Sequence, residues 1–349
     1  MRFIVTLSFS TCFAFCLSAS ALEVERRNER IFIKSSACSE VAEAAASLEQ
    51  WLKVSKIHKD CPATRMSPAK VGEVCEFDIT QCVPDHVAKF QSATPKEYGP
   101  NCWNLSLVMT QILPGMRYST PEEMAFYMRP PLCRQLTNDE KRRPGDIGAI
   151  RKSASQGGTE IHGFIYISEK LVYSKNGAFP LSPYSLQDTE PMLKGYGVPE
   201  TSQCRQNTNS MMINCPAMVS YFRCQSMDDY VKKHPSIPAE LMATYKGMGQ
   251  FEQCLQNRVM NREALPAQAK QNILDVSKAL AHYLDEQVKN QPKGVPMSEE
   301  KSFMIGSLQL RLLAIAQQLS MSGETQFVNE LGEFGRAILK SSREILTDK

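Results

Sequence analysis

Two residues of the sequence have side chains suited to acyl transfer, Cys102 in "GPNCWNLSLVMTQILPG" and His162 in "EIHGFIYIS". A stretch that contains several polar residues, "YSKNG", follows them. A cysteine thiolate attacks a carbonyl carbon, a histidine moves the proton, and a third polar group orients the imidazole ring. These residue types predict a thiol-dependent hydrolase if the fold brings them together.

The segment after Cys102 predicts a short helix that buries one face. Apolar residues recur there at the i, i+3, i+4 and i+7 positions, and Pro114-Gly115 ends the run. Asn101 is a good N-cap, so Cys102 falls in the first turn. There the free backbone N–H groups and the positive end of the helix dipole are expected to lower the pKa of the thiol and to face an oxyanion.

Three later stretches, "DIGAIR", "EIHGFIYIS" and "LVYSKNG", predict the strands of an antiparallel meander. Alternation places His162, Phe164 and Tyr166 on one face of the middle strand. We expect His162 and a polar residue of "YSKNG" to face each other, above a helix that carries Cys102.

The order of these pieces resembles the NlpC-type cell-wall hydrolases of the papain-like superfamily, over roughly residues 95–190. The resemblance implies an α+β fold with a papain-like core, in which Cys102 is the nucleophile and His162 the base. Asn176 is then the residue that orients the base, with Ser174 as the alternative. The sequence departs from the family at Asn101-Cys102-Trp103-Asn104, where Asp-Cys-Ser-Gly is usual and where Cys-Trp is closer to papain and transglutaminase relatives.

The same resemblance implies the substrate class. A peptidase or amidase of this kind cleaves the stem peptides of peptidoglycan, or another peptide, without a cofactor. Tyr98, Trp103 and Tyr166 are the residues expected to bind substrate. The other histidines have no metal-ligand spacing with one another or with the cysteines, so no metal site is predicted.

The first 21 residues predict a secretory signal peptide. Arg2 supplies the positive start, an apolar stretch follows, and Ala19-Ser20-Ala21 is a small-residue cleavage site. We therefore expect a secreted or periplasmic protein of the cell envelope. No later stretch is apolar enough to predict a transmembrane segment.

The cysteine count leaves the role of Cys102 open. Signal cleavage would remove Cys12 and Cys16 and leave ten of the 12 cysteines, most of which should pair in an oxidising compartment. An even number permits five disulfides that include Cys102. One alternative function is therefore a catalytically inactive, disulfide-stapled binding protein of the same fold. Another is acyl transfer on a substrate other than peptidoglycan.

Three regions follow the predicted signal peptide. Residues 22–94 predict a helical, cysteine-containing lead-in that could act as an inhibitory prosegment, and the resemblance implies that residues 95–225 are a hydrolase domain. In residues 226–349 three apolar stripes at helical spacing predict a small helical bundle, a candidate surface for a protein partner. The net charge of +3 predicts no nucleic-acid partner.

Overall fold

The structure, a computed structural model, describes residues 22–153, 159–205, 215–290 and 296–347. The predicted signal peptide, residues 1–21, lies outside the described residues. The described chain is a mixed α+β protein with two antiparallel sheets and a helical C-terminal region.

The four strands of the first sheet, with the order β1-β2-β4-β3, are β1 (Glu23–Arg27), β2 (Arg30–Ser35), β3 (Ala69–Val71) and β4 (Val74–Asp78). The six strands of the second sheet, with the order β5-β10-β6-β7-β8-β9, are β5 (Cys133–Gln135), β6 (Ile147–Lys152), β7 (Glu160–Tyr166), β8 (Leu171–Lys175), β9 (Tyr184–Asp188) and β10 (Ala217–Cys224).

The helices of the first two regions are α1 (Cys38–Val54), α2 (Asp85–Phe90), α3 (Cys102–Met109), α4 (Pro121–Tyr127), α5 (Thr189–Gly195) and α6 (Ser202–Arg205). Those of the C-terminal region are α7 (Met227–Lys233), α8 (Ala239–Asn261), α9 (Ala267–Asn290), α10 (Glu299–Met321) and α11 (Thr325–Thr347).

The lead-in contains the expected long helix, α1, together with a small sheet that the sequence reasoning did not predict. Strand β2 alternates in burial, with Ile31 and Ile33 fully inside, and Phe77 of β4 is buried beside them. This alternation is the period of a half-buried strand. The disulfides Cys38–Cys75 and Cys61–Cys82 hold the helix and the sheet of this region together.

The predicted antiparallel meander is confirmed as β6, β7 and β8, which are consecutive and adjacent in the second sheet. The two faces of β7 enter different cores, as alternation requires: Phe164 lies in one core, and Ile165 lies in the other. Helix α3 packs against β7 and β8. The helix that begins with Cys102 therefore lies on one face of the second sheet.

The pairing of β7 with β8 covers only one end of the two strands. The paired residues are Ile165 with Tyr173 and Tyr166 with Val172. If the register continued, Gly163 would face Lys175, but the ladder stops before that point. The unpaired end of β7 thus leaves backbone groups of the strand free to contact the first turn of α3.

The three predicted C-terminal helices are confirmed as α9, α10 and α11, and α8 is an additional long helix. Helix α8 packs against α9 and α10, and α11 packs against α9 and α10. A continuous core joins these helices to the α3 segment and to the lead-in. The apolar stripes of this region are therefore largely buried within the molecule.

A fully buried network of charges connects the C-terminal helices to the segment that follows α3. The Arg117 guanidinium donates to Glu123 at 2.6 Å and to Glu252 of α8 at 2.9 Å. The Arg311 guanidinium of α10 donates to Glu252 at 2.6 Å. Two cations and two carboxylates are thus matched in the interior, where an unmatched charge is very costly.

A buried histidine of α2 predicts acid sensitivity of the fold. His86 contacts Phe90, Tyr173 and Tyr184, and neither of its ring nitrogens has a hydrogen-bond partner among the described residues. Burial, with a smaller contribution from the charge of Lys89, lowers the pKa of His86 from 6.5 to about 3. The unfolded chain therefore binds a proton between these two pH values that the folded chain does not bind.

The free energy of unfolding should consequently fall as the pH drops below about 6.5, by up to about 1.4 kcal/mol per pH unit for this one residue. Replacing His86 with Phe should reduce the slope between about pH 6 and about pH 4 by that amount. Urea unfolding at several pH values measures the slope. The matched control is His58→Phe at an exposed position, and equal slopes in both variants would contradict the assignment.

Candidate functional site

Cys102 is a free thiol. Four disulfides are present in the described chain, and the pairs outside the lead-in are Cys133–Cys224 and Cys204–Cys215. Of the described cysteines, Cys102 and Cys254 remain unpaired. The alternative in which Cys102 forms a fifth disulfide does not hold in this structure.

The placement of Cys102 at the start of a helix is confirmed. Helix α3 begins at Cys102, and the side chain of Asn101 accepts a hydrogen bond from the Asn104 backbone N–H at 2.9 Å. Asn101 also donates to the Ser119 carbonyl at 2.8 Å, so the N-cap is fixed from the opposite side. The N-cap geometry leaves the first N–H groups of the helix free to face the sulfur.

The environment of the thiol opposes ionisation more than the sequence suggests. Burial raises the pKa of Cys102, whereas the backbone N–H groups of Gly163, Trp103 and Cys102 itself, and the charge of Lys175, act to lower it. The net direction is upward. The expectation of a lowered thiol pKa was therefore wrong for the free protein, because desolvation outweighs the helix-start N–H groups.

Gly163 brings the strand that carries His162 directly against the thiol. A Cβ added to Gly163 would lie 3.1 Å from Ser106 Oγ and 3.3 Å from Trp103 Cδ1, so the strand and the helix are in close contact at this glycine. The N–H of Gly163 faces the Cys102 sulfur. Because side chains alternate along a strand, the His162 side chain points to the opposite face of β7, where it stacks with Phe164, so the expectation that His162 faces the helix of Cys102 was wrong.

His162 itself is fully buried, and its ring stacks on Tyr196 at a centroid distance of 4.1 Å. Neither ring nitrogen has a hydrogen-bond partner among the described residues. Burial lowers the pKa of His162 to about 3, so the imidazole is neutral at physiological pH. A neutral, unpartnered imidazole has a free lone pair to accept a proton, although the structure contains no hydrogen bond between His162 and Cys102.

Asn176 does not contact the His162 ring nitrogens, which are unpartnered. It is exposed, and its side-chain oxygen accepts a hydrogen bond from the Tyr196 hydroxyl at 3.1 Å. Tyr196 in turn covers His162, so Asn176 acts on the histidine only through the tyrosine. The alternative orienter, Ser174, is buried and accepts a hydrogen bond from Gln187 at 2.5 Å.

Lys175 is the polar residue of "YSKNG" that lies nearest the chemistry. Its side chain is fully buried, and its ammonium group donates to the carbonyls of Gly177 at 2.7 Å and Phe179 at 3.1 Å. Burial lowers the pKa of Lys175 to about 8, and the charge of Cys102 partly opposes that shift. A buried ammonium group stabilises a thiolate or an oxyanion that forms beside it.

The three predicted substrate-binding residues occupy different places. Tyr98 is 39% exposed and packs edge-to-face on Phe179, at a centroid distance of 5.4 Å. Trp103 belongs to the first turn of α3, and its indole nitrogen is buried without a partner among the described residues. Tyr166 lies at the far end of β7 and lines a separate polar pocket with Arg142. Tyr98 and Trp103 are therefore near Cys102, and Tyr166 is not.

Two residues of this site, Lys175 and Tyr196, were not predicted from the sequence. Lys175 stands inside the motif that was used to select Asn176, and full burial of a lysine on a strand cannot be read from one sequence. Tyr196 follows α5 in "KGYG" and carries no local signal. Its contact with His162 depends on how α5 packs on the sheet.

Within the parts of the chain that the structure describes, no group of three or more His, Cys, Asp or Glu side chains is arranged to hold a metal ion. None of the described helices combines the length and apolar character needed to cross a membrane.

Comparison with known proteins gives no assignment. No protein-family model matches the chain, and no curated protein or solved structure is significantly similar to it. The chemistry of the site is therefore inferred from its own residues.

Proposed function

We propose that the protein is a cysteine hydrolase of papain-like type that cleaves an amide bond through Cys102. The observation that supports this most is a free, buried thiol at the start of α3, in contact with backbone N–H groups and next to a strand that carries an unpartnered imidazole. An ordinary buried cysteine needs neither the N–H groups nor the neutral histidine. Buried polar atoms without partners are uncommon, and they concentrate at functional sites.

The reaction would begin with transfer of the Cys102 proton to His162. The sulfur forms a bond to the carbonyl carbon, and the oxyanion is stabilised by N–H groups at the start of α3 and by the nearby Lys175 ammonium. Collapse of the intermediate breaks the carbon–nitrogen bond, and His162 returns the proton to the leaving amine. Water then attacks the thioester, releases the acid and restores the thiol.

Because His162 is neutral and the thiol pKa is raised, the resting state is a neutral pair rather than an ion pair. Proton transfer then accompanies attack. Because the His162 ring lies on the face of β7 opposite α3, the start of β7 has to rearrange when substrate binds to bring the imidazole within hydrogen-bond reach of the sulfur. Catalytic hydrogen bonds are often absent in free proteins and form in the complex.

The sequence supports a substrate class and a cellular compartment for the proposed hydrolase. The resemblance to NlpC-type hydrolases favours the stem peptides of peptidoglycan, and the signal-like start favours the periplasm or the exterior. The four disulfides support an oxidising compartment. Digestion of purified cell wall, compared with hydrolysis of a simple ester and of a glutamine-containing peptide, separates these substrate classes.

Replacing His162 with Gln tests the base. The amide cannot accept the proton from the thiol, so hydrolysis should fall by roughly 100-fold to 10,000-fold. The initial rate with each of the three substrates gives the readout. His58→Gln, at an exposed histidine, is the control and should retain the rate of the unmodified protein.

Unchanged hydrolysis in His162→Gln would contradict the proposed role of His162. Absence of hydrolysis in the unmodified protein, with all three substrates, would instead support the catalytically inactive binding protein as the function of this fold.

A further inference from the structure

The chain segment that leads into α3 is held by the C-terminal helices. The backbone N–H groups of Lys96 and Glu97 donate to the Val259 carbonyl near the end of α8, at 2.7 Å and 3.2 Å. The Arg258 guanidinium donates to the Glu97 carboxylate at 3.3 Å. The path of the chain just before Cys102 is therefore set by a helix more than 150 residues away in sequence.

One side chain of α10 joins the segments on both sides of α3. Gln318 is fully buried, and its amide oxygen accepts a hydrogen bond from the Tyr118 backbone N–H at 2.8 Å. Its amide nitrogen donates to the Tyr98 carbonyl at 3.0 Å. Tyr98 precedes Cys102 by four residues, and Tyr118 follows α3. The side-chain oxygen and the side-chain nitrogen of Gln318 thus each form a hydrogen bond with a backbone group, and buried backbone groups need such partners.

Gly99 is fitted to this contact. Its φ angle of 153° lies in the region that favours glycine, and an added Cβ would lie 2.0 Å from the Gln318 amide oxygen. The Gly99 N–H donates to the Ala178 carbonyl at 3.1 Å, which ties the same segment to the loop after β8. Gln318 therefore packs against the backbone of the segment that precedes Cys102.

The two backbone groups held by Gln318 are connected to the N-cap of α3. Tyr118 precedes Ser119, whose carbonyl accepts a hydrogen bond from the Asn101 side chain at 2.8 Å. Tyr98 precedes Asn101 by three residues. A shift of Gln318 would consequently move the backbone on both sides of the N-cap that precedes Cys102.

We propose that Gln318 is a positioning residue of the Cys102 site, and that it makes the C-terminal helical region a structural part of that site. Gln318 acts through the backbone of Tyr98 and Tyr118 and touches no reacting atom. This inference rests on the proposed function of Cys102, and it assigns to α10 a role in catalysis in place of a separate docking role.

The test compares Gln318→Met with Gln317→Met. Gln317 is the next residue of the same helix and is exposed, so it is a matched control for composition and helix propensity. Gln318→Met leaves the Tyr118 N–H and the Tyr98 carbonyl without partners, and the resulting shift of α3 should lower kcat for p-nitrophenyl acetate by roughly tenfold or more. Gln317→Met should stay within about twofold of the unmodified protein.

A second readout needs no turnover. Iodoacetamide is added to the folded protein, and peptide mapping gives the alkylation rate of Cys102 divided by that of Cys254 in the same molecules. Cys254 is the other free thiol and belongs to α8, so it reports general loosening of the fold. Gln318→Met should change the ratio by roughly tenfold, and Gln317→Met should leave it unchanged.

Gln318→Glu covers the case in which Gln318→Met does not fold. It preserves size and the acceptor for the Tyr118 N–H but loses the donor to the Tyr98 carbonyl, so kcat should again fall. The melting temperature is measured alongside to show that the variant is folded.

A folded Gln318 variant with normal kcat and a normal alkylation ratio would overturn the inference. If such a variant is normal while Cys102→Ser is inactive, only the role of Gln318 fails. If Cys102→Ser is active, the proposed function fails, and the alkylation ratio still decides whether Gln318 positions the thiol.

Discussion

Cys102→Ser is expected to reduce hydrolysis at least about 1,000-fold while the protein remains folded. The serine hydroxyl is close in size to the thiol but is a far weaker nucleophile beside a neutral imidazole. Since Cys102 forms no disulfide, the substitution should release no partner thiol and should change the free energy of unfolding by less than about 1 kcal/mol. The measurements are the hydrolysis rate, a thiol count under denaturing conditions and a urea unfolding curve.

The matched control is Cys254→Ser, which alters the other free thiol of the described chain. It should keep full activity, because Cys254 lies on α8 and takes no part in the proposed reaction. Retained hydrolysis in Cys102→Ser would contradict the catalytic role. A large loss of stability accompanied by a new free thiol would show that Cys102 is a disulfide partner in the natural protein.

Glu252→Gln is expected to destabilise the protein by about 3–5 kcal/mol. Burial acts to raise the pKa of Glu252, but the charges of Arg311 and Arg117 lower it below its usual value, so the carboxylate is ionised in the folded state. Neutralising Glu252 leaves two buried guanidinium groups, and Glu123 is then the one carboxylate of this network that still carries a charge. Chemical unfolding at neutral pH measures the loss.

Two further variants make that prediction specific. Glu240→Gln removes an exposed carboxylate from the same helix and should change the free energy of unfolding by no more than about 0.5 kcal/mol. The double variant Glu252→Gln with Arg311→Met removes one cation together with the anion, and it should recover part of the lost stability. A loss below about 1 kcal/mol in Glu252→Gln alone would show that the network is not ionised as described.

The parts of the fold that depend on neighbouring residues could be predicted from the sequence. Asn101 caps the start of α3, as expected, but the helix ends at Met109, before the predicted stop at Pro114-Gly115. Thr120 caps α4 by accepting from the Glu123 N–H at 3.0 Å. The three apolar stripes of the C-terminal region became helices because a helix needs only a local period to be recognised.

Contacts between distant segments could not be predicted in this way. Gln318 and Tyr98 are 220 positions apart, and no local pattern marks Gln318 among the other glutamines of α10. The Glu123 carboxylate, in the first turn of α4, is bound by Arg117. In the candidate site, the positions of Cys102 and His162 followed from helix-start and strand patterns. The contacts of Asn176 and Lys175 depend on where the strand ends.

The thiol pKa shows why local rules mislead at a buried site. A helix start favours the thiolate, and the sequence therefore predicts a lowered pKa. The structure buries Cys102, and desolvation reverses the direction of the pKa shift. Burial of this kind is a property of the assembled fold and is not visible around the cysteine in the sequence.

The most direct test of the central claim is to trap the acyl-enzyme. The unmodified protein is mixed with p-nitrophenyl acetate, quenched with acid within the first turnovers, and mapped by peptide mass spectrometry under non-reducing conditions. We expect an acetyl group on Cys102, little on Cys254, and none on Cys102 in the His162→Gln variant at the same time point. Recovery of Cys102 in a disulfide, or equal acetylation of Cys102 and Cys254, would contradict the proposed role of Cys102 as the nucleophile.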